Sequence, residues 1–202
     1  MRLDDLQVER YSRQLVLPEI GPAGQERLLA ARVAIIGAGD AARRTLGYLA
    51  AAGVGKIAAL PAFDFIADPG QTDVTMEPLA ASTDLTLFDA AVLAGEGGVG
   101  LLRARRTFWI AGGRAAEIPP CPACAAAALP PVSPVSPELE SLRDGLLGTV
   151  VATEVMKALL DLGVPLRGHV LSYEPENAVL ATSVVPPRRG CGVCSTRSGR
   201  ED

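Results

Sequence analysis

The stretch VAIIGAGDAARRTLGYL, residues 33–49, sets a buried strand, a glycine turn and a helix in direct succession. Val33, Ile35 and Ile36 belong to a short, β-branched apolar run that stops at Gly37. Gly37-x-Gly39-x-x-Ala42 fits the loose G-x-G-x-x-[GA] pattern, whose glycines let a phosphate approach backbone N–H groups at a helix N-terminus. The same turn also serves strand-to-helix crossings that hold no ligand. Asp40 favours the second reading. A carboxylate in the first helical turn suits the helix dipole but takes the electrostatic place of a phosphate. Arg43 and Arg44 follow, either to offset it or to face solvent.

Strands and helices continue to alternate along the chain. Residues 4–16 predict a helix capped by Asp4 or Asp5, with a partial apolar face of Leu6, Val8, Leu15 and Val16. GQERLLAAR predicts a second short helix, and KIAALPAF a second strand cut short by Pro61. DVTMEPL, FDAAVLAG and RTFWIAGG predict three further strands. Residues 117–137 are proline-rich and predict a crossing loop. A long helix follows from Pro137, with Gly145 and Gly148 as candidate breaks, and a hairpin turns at Glu176-Asn177. The expected fold is α/β: a Rossmann-like, mainly parallel sheet flanked by helices, with a C-terminal β-hairpin. The chain of 202 residues is expected to form one domain over 1–196. It divides into N-terminal helices (1–31), an α/β core (32–116) and a cysteine-stapled part (117–196), with 197–202 a disordered tail.

The four cysteines form two C-x-x-C pairs, Cys121-Pro-Ala-Cys124 and Cys191-Gly-Val-Cys194. Two such knuckles can supply the four tetrahedral thiolates of a structural zinc site; two separate dithiols or a disulfide are the alternatives. Zinc on all four would leave no thiol for redox or thioester chemistry. The balanced charge, a formal net −4, argues against nucleic acid and anionic membrane partners. No stretch reaches the apolar length of a membrane span, and the charged N-terminus has no signal-peptide core, so a cytoplasmic location is expected. His169 is the only histidine and supports no catalytic triad. Glu154 and Lys157 predict a surface ion pair one helical turn apart. A dinucleotide-binding oxidoreductase is a further alternative. It is disfavoured because the second strand ends at Leu60-Pro61, with the nearest acid, Asp64, three residues late.

RYSRQLVLPEIGPAGQERLLAARVAIIGAG, then YLAAAGVGKI, the paired CPAC and CGVC, and the helix GTVVATEVMKALL together resemble the MoeB/ThiF/HesA proteins of the ubiquitin-activating enzyme superfamily. The resemblance runs from about Val8 to Cys194. It implies ATP and magnesium binding, adenylation of the C-terminal glycine of a ubiquitin-like or sulfur-carrier protein, a dimer, and zinc on the four cysteines. Arg13 matches the arginine that reaches the partner subunit's ATP phosphates. Gly37 and Gly39 match the start of the G-x-G-G-x-G loop. Asp40 and Ala42 stand where that loop has glycines, and Pro61 where the family has an acid.

Other family features are missing. The family's Asn-x-x-Arg-Gln segment and the lysine-bearing helix after it have no counterpart between Asp64 and DVTMEPL. No lysine or arginine lies between Lys56 and Arg103. Glu96 stands near the place of the magnesium-binding aspartate. Adenylation is largely electrostatic and needs cations around the phosphates. The joint loss predicts a degraded nucleotide site (Gly37, Gly39, Asp40, Arg43) without catalytic residues of its own. The chain is then expected to act as a zinc-stabilised partner subunit. It would form a homodimer, or a heterodimer with a ThiF/MoeB-like paralogue whose ATP site Arg13 completes, or bind a sulfur-carrier protein. An active adenylyltransferase, with Arg43, Arg44 and Glu96 as replacement ligands, is the alternative.

Overall fold

A computed structural model describes residues 3–61, 72–95 and 104–194. Among the described residues eight strands form one sheet. They are β1 (Arg32–Gly37), β2 (Lys56–Leu60), β3 (Thr75–Pro78), β4 (Ala90–Ala94), β5 (Arg106–Ala111), β6 (Arg114–Glu117), β7 (His169–Glu174) and β8 (Val179–Val184). Their order is β3-β2-β1-β4-β5-β6-β7-β8. The first five in that order are mutually parallel, and β6, β7 and β8 are antiparallel additions. The chain winds outward from β1 to β3 and then returns to β4 on the other side of β1. The switch point therefore lies at the carboxyl ends of β1 and β4, where open α/β sheets bind ligands.

Among the described residues there are six α-helices: α1 (Asp5–Arg10), α2 (Ser12–Leu15), α3 (Gly21–Ala30), α4 (Gly39–Ala51), α5 (Pro122–Ala128) and α6 (Pro137–Leu160). On one face of the sheet, α3, α4 and α6 bury Leu28, Leu46, Leu49, Leu147, Val151 and Val155 against Val33, Ile35, Val92 and Phe108. On the other, Trp109, Leu93, Phe88 and Leu85 pack with α5 and the four cysteines.

Several expectations are corrected. The helix over 4–16 is two helices, α1 and α2, divided at Tyr11. Asp4 does cap the first, in a reciprocal capping box with Gln7. The apolar face expected there is not buried: Leu6, Val8 and Val16 are exposed, and α1 buries no residue. The chain is fixed instead by polar contacts to Asp73, which accepts from Gln7 Nε2 at 3.0 Å, from the Tyr11 hydroxyl at 3.3 Å and from Arg10.

The proline-rich loop over 117–137 contains α5 and the last residue of β6, a strand that starts at Arg114. The long helix α6 is unbroken. Gly148 serves contact instead: a Cβ there would lie 2.4 Å from the Ala41 carbonyl oxygen on α4. The buried Thr45 hydroxyl seals the crossing, 2.8 Å from the Ala41 carbonyl and 3.0 Å from that of Gly148. Glu154 and Lys157 do pair, at 2.6 Å, but not on the surface. The Glu154 side chain is 12% exposed and also accepts from the Leu166 N–H. Among the described residues no helix is long and apolar enough to cross a membrane.

Candidate functional site

Gly37 ends β1 at the switch point and pairs with Ala94, the last residue of β4. Its φ is +124°, and a Cβ would lie 1.7 Å from the Ala94 carbonyl oxygen, so the close approach of the two strands alone demands glycine. Gly39 opens α4 at φ +83°, and a Cβ there would meet nothing within 4 Å, which leaves space beside the helix N-terminus. Ala38 is the N-cap and offers no side-chain bond.

Asp40 lies in that first turn, and its carboxylate accepts from the Ser141 hydroxyl at 2.6 Å. Two acids of α6 stand close by. Burial raises the Asp144 carboxyl above its ordinary range, Arg143 opposes the rise, and the negative charges of Glu140 and Asp40 add to it. Arg143 is itself buried against the Gly113 turn, 3.0 Å from Glu140 and 3.5 Å from Asp144. Arg44 lies over Gly145 of α6 and lines a groove with Asp40, Tyr48, Ser141 and Leu142. Arg43 is exposed on α4. Sequence reading missed Ser141, Glu140, Arg143 and Asp144, because only the α4–α6 packing brings them to the turn. Glu96 and Asp64 fall outside the described residues, as do most of the shortened loop and the tail expected to be disordered.

Arg13 is exposed on α2 and has no partner among the described residues. Its neighbours in the R-Y-S-R-Q opening serve the fold. Arg10 and Tyr11 hold Asp73, and the buried Tyr11 ring lies so close to Gly53 that a Cβ there would sit 2.7 Å from it. His169 is half-buried at the start of β7, 3.2 Å from the Arg167 carbonyl.

The four cysteines converge on the other face of the sheet. Cys121 caps α5 and Cys124 lies in its first turn; Cys191 and Cys194 follow β8. All are buried, and their sulfurs lie within 4.8 Å of one another. Sγ separations are 3.7 Å for Cys121–Cys124 and 3.6 Å for both Cys121–Cys191 and Cys124–Cys194. Four thiolates about 2.3 Å from a central ion would be separated by about 3.8 Å, so this cluster fits a tetrahedral metal. The thiols are not bonded to one another. Backbone N–H groups of Cys194 and Val193 donate to Cys191 and pull its thiol down to about 6. Burial pushes Cys121 and Cys194 up. The Arg188 N–H donates to Cys124 Sγ at 3.3 Å.

Comparison with known proteins agrees with this arrangement. Residues 11–60 match the ThiF family. The SAMP-activating enzyme E1 of Haloferax volcanii is 26% identical, over 96% of this chain and 91% of that protein. The alignment runs over 246 positions, more than this chain has residues, so the relative carries stretches with no counterpart here. The sulfur carrier protein adenylyltransferase of Thermus thermophilus is 49% identical over 57 residues, 28% of this chain and 21% of that protein. The crystal structure of Escherichia coli MccB has the same fold, with a TM-score of 0.61 at 13% identity over 92% of this chain and 72% of that one. Its R-Y-S-R-Q opening, its Gly37–Gly39 turn at the sheet's switch point and its clustered C-x-x-C pairs make the chain similar to proteins of the MoeB/ThiF family, with the family match itself confined to residues 11–60.

Proposed function

We propose that the chain is a non-adenylating MoeB/ThiF subunit, a zinc-stapled scaffold that binds a protein partner. The observation that carries this reading is the first turn of α4, where Asp40 is held by Ser141 with Glu140 and Asp144 beside it. Phosphoryl and nucleotidyl transfer need positive charge at that place. Here the turn carries the Asp40 carboxylate, the two acids beside it are held by Arg143, and the segment that would supply the family's cations is shortened. Gly37 is retained because the strands require it, whatever binds there.

Cys121, Cys124, Cys191 and Cys194 would hold the zinc, which supplies a cross-link between α5 and the segment after β8. That link stabilises the fold without acting in a reaction. Exposed Arg13, with exposed Val16 and Leu17 next to it, forms the surface offered to a partner. The partner is a second copy or an active paralogue whose ATP phosphates Arg13 would reach.

The test mixes the chain with a candidate paralogue and follows ATP–pyrophosphate exchange. The reading expects stimulation by the wild type and loss of that stimulation with Arg13→Ala. Unchanged exchange with Arg13→Ala overturns the arginine's role, and exchange by the chain alone overturns the non-adenylating assignment.

A further inference from the structure

The two ends of the sheet are finished differently. β3, at one end, has 4 residues, carries Glu77 in an ion pair with Lys56 and closes at Pro78. Short edges that bear charge or proline resist pairing with another chain. β8, at the other end, reads Val-Leu-Ala-Thr-Ser-Val over Val179–Val184. It has no charge and no proline. It pairs with β7 in unbroken register along its whole length, so no bulge twists it away. Leu180 is 51% exposed and Val184 75%.

The ladder fixes which backbone groups of β8 face outward. The Val185 N–H donates to the Gly168 carbonyl at 2.9 Å, one step beyond the His169–Val184 pair. The N–H groups of Tyr173 and His169, which lie opposite Leu180 and Val184, donate away from β8, to the carbonyls of Gly113 and Leu166. Bonded and non-bonded pairs alternate along an antiparallel ladder. Val179, Ala181 and Ser183 therefore bond to β7, while Leu180, Thr182 and Val184 turn N–H and C=O to the open side. Among the described residues no further strand lies beyond β8 to take those groups.

We propose that two copies of the chain pair antiparallel through β8, about a two-fold axis at Thr182. The register that uses every outward group sets Thr182 against Thr182 of the second copy, and Leu180 against Val184 of the second copy. Each such pair exchanges N–H to C=O bonds in both directions, and the threonine and aliphatic side chains add cross-strand contacts. Counting outward in the same register brings exposed Glu176, in the β7–β8 turn, opposite exposed Arg188 of the second copy, and the symmetry repeats this match. The Arg188 N–H is fixed on Cys124 Sγ, which steadies that end of the interface. The uncharged strand thus pairs with itself without repulsion, and its flanks are complementary. This surface is separate from the one around Arg13. Arg10 and Tyr11, next to α2, hold Asp73 beside β3, at the opposite end of the sheet. The inference goes beyond the partner-binding reading above and stands without it.

A single strand pair is a small interface, so a Kd of about 100 µM is expected. The experiment follows residue-resolved amide hydrogen exchange by NMR on the whole, metal-loaded chain from about 50 µM to about 1 mM, with sedimentation of the same samples. As concentration rises, the mass should approach two copies. The amides of Leu180, Thr182 and Val184 should slow about tenfold or more, while those of Ala181 and Ser183 are protected by β7 throughout. Thr182→Pro removes an outward N–H and leaves the β7 ladder intact, and should weaken association about tenfold or more. Should proline disturb the hairpin, charge reversal keeps the test open: Glu176→Arg should weaken pairing about twofold to fivefold, and adding Arg188→Glu should restore it. A chain still monomeric at about 1 mM, association that leaves the three amides unprotected, or Thr182→Pro associating like the wild type would each overturn the proposal. So would protection that arises only when a different protein is added, which would give the edge to that protein. Pairing through the Arg13 surface leaves the three amides exposed, so the two interfaces are read apart.

Discussion

The Asp40 carboxylate accepts a hydrogen bond from the Ser141 hydroxyl at 2.6 Å, across 101 residues of sequence. The bond joins the N-terminal turn of α4 to α6 where a phosphate-binding member of the fold would leave that turn open. Because Asp40 is exposed and its charge is screened, the contact is worth only about 0.5–1 kcal/mol, combined with its effect on the helix dipole. A double-mutant cycle of Asp40→Ala and Ser141→Ala, read by urea denaturation, should show that coupling. Strictly additive losses would mean that the two residues act independently.

Gly37 and Gly39 should respond differently to the same change. Gly37→Ala drives a Cβ into the Ala94 carbonyl and must pry β1 from β4, at a cost of about 3 kcal/mol or more. Gly39→Ala meets nothing and costs only the strain of its positive φ, about 1–2 kcal/mol. Chemical denaturation of both variants gives the comparison. Equal losses would contradict a packing role for Gly37.

Metal binding to the cysteines should strengthen as pH rises, because every ligand must lose its proton. Cys191, pulled down to about 6, is ready first; Cys121 and Cys194, held up by burial, hold their protons longest. Acidification therefore weakens the site by protonating the buried pair before Cys191. A chelator competition at several pH values should show affinity for zinc falling steadily toward acid, with about one ion per chain at neutral pH. Cys124→Ser should lose the ion and lower the melting temperature. A melting temperature unmoved by chelation would show that the cluster does not staple the fold.

Much of this architecture is legible in the sequence. The strands β1, β4 and β5 are apolar runs bounded by glycine or charge, and the C-x-x-C pairs announce a cluster before its geometry is known. The rest depends on tertiary context. β6 reads Arg-Ala-Ala-Glu, with no β-branched residue, and is a strand because the Gly112–Gly113 turn lays it against β5. α5 hides in a proline-rich stretch because Pro122 occupies the first helical position, where the ring is tolerated. Gly145 and Gly148 suggest a break, yet α6 runs unbroken from Pro137 to Leu160, with Gly148 closely packed on α4. Ser141, Glu140 and Asp144 carry no motif and gain meaning only where α6 crosses α4.

The most direct test of the central claim is isothermal titration of the metal-loaded chain with ATP and magnesium. The account expects no heat of binding at nucleotide concentrations up to about 1 mM. It also expects no gain from adding a sulfur-carrier protein in the absence of a paralogue. Saturable binding at about 10 µM or tighter would contradict it and restore the α4 turn as a working nucleotide site.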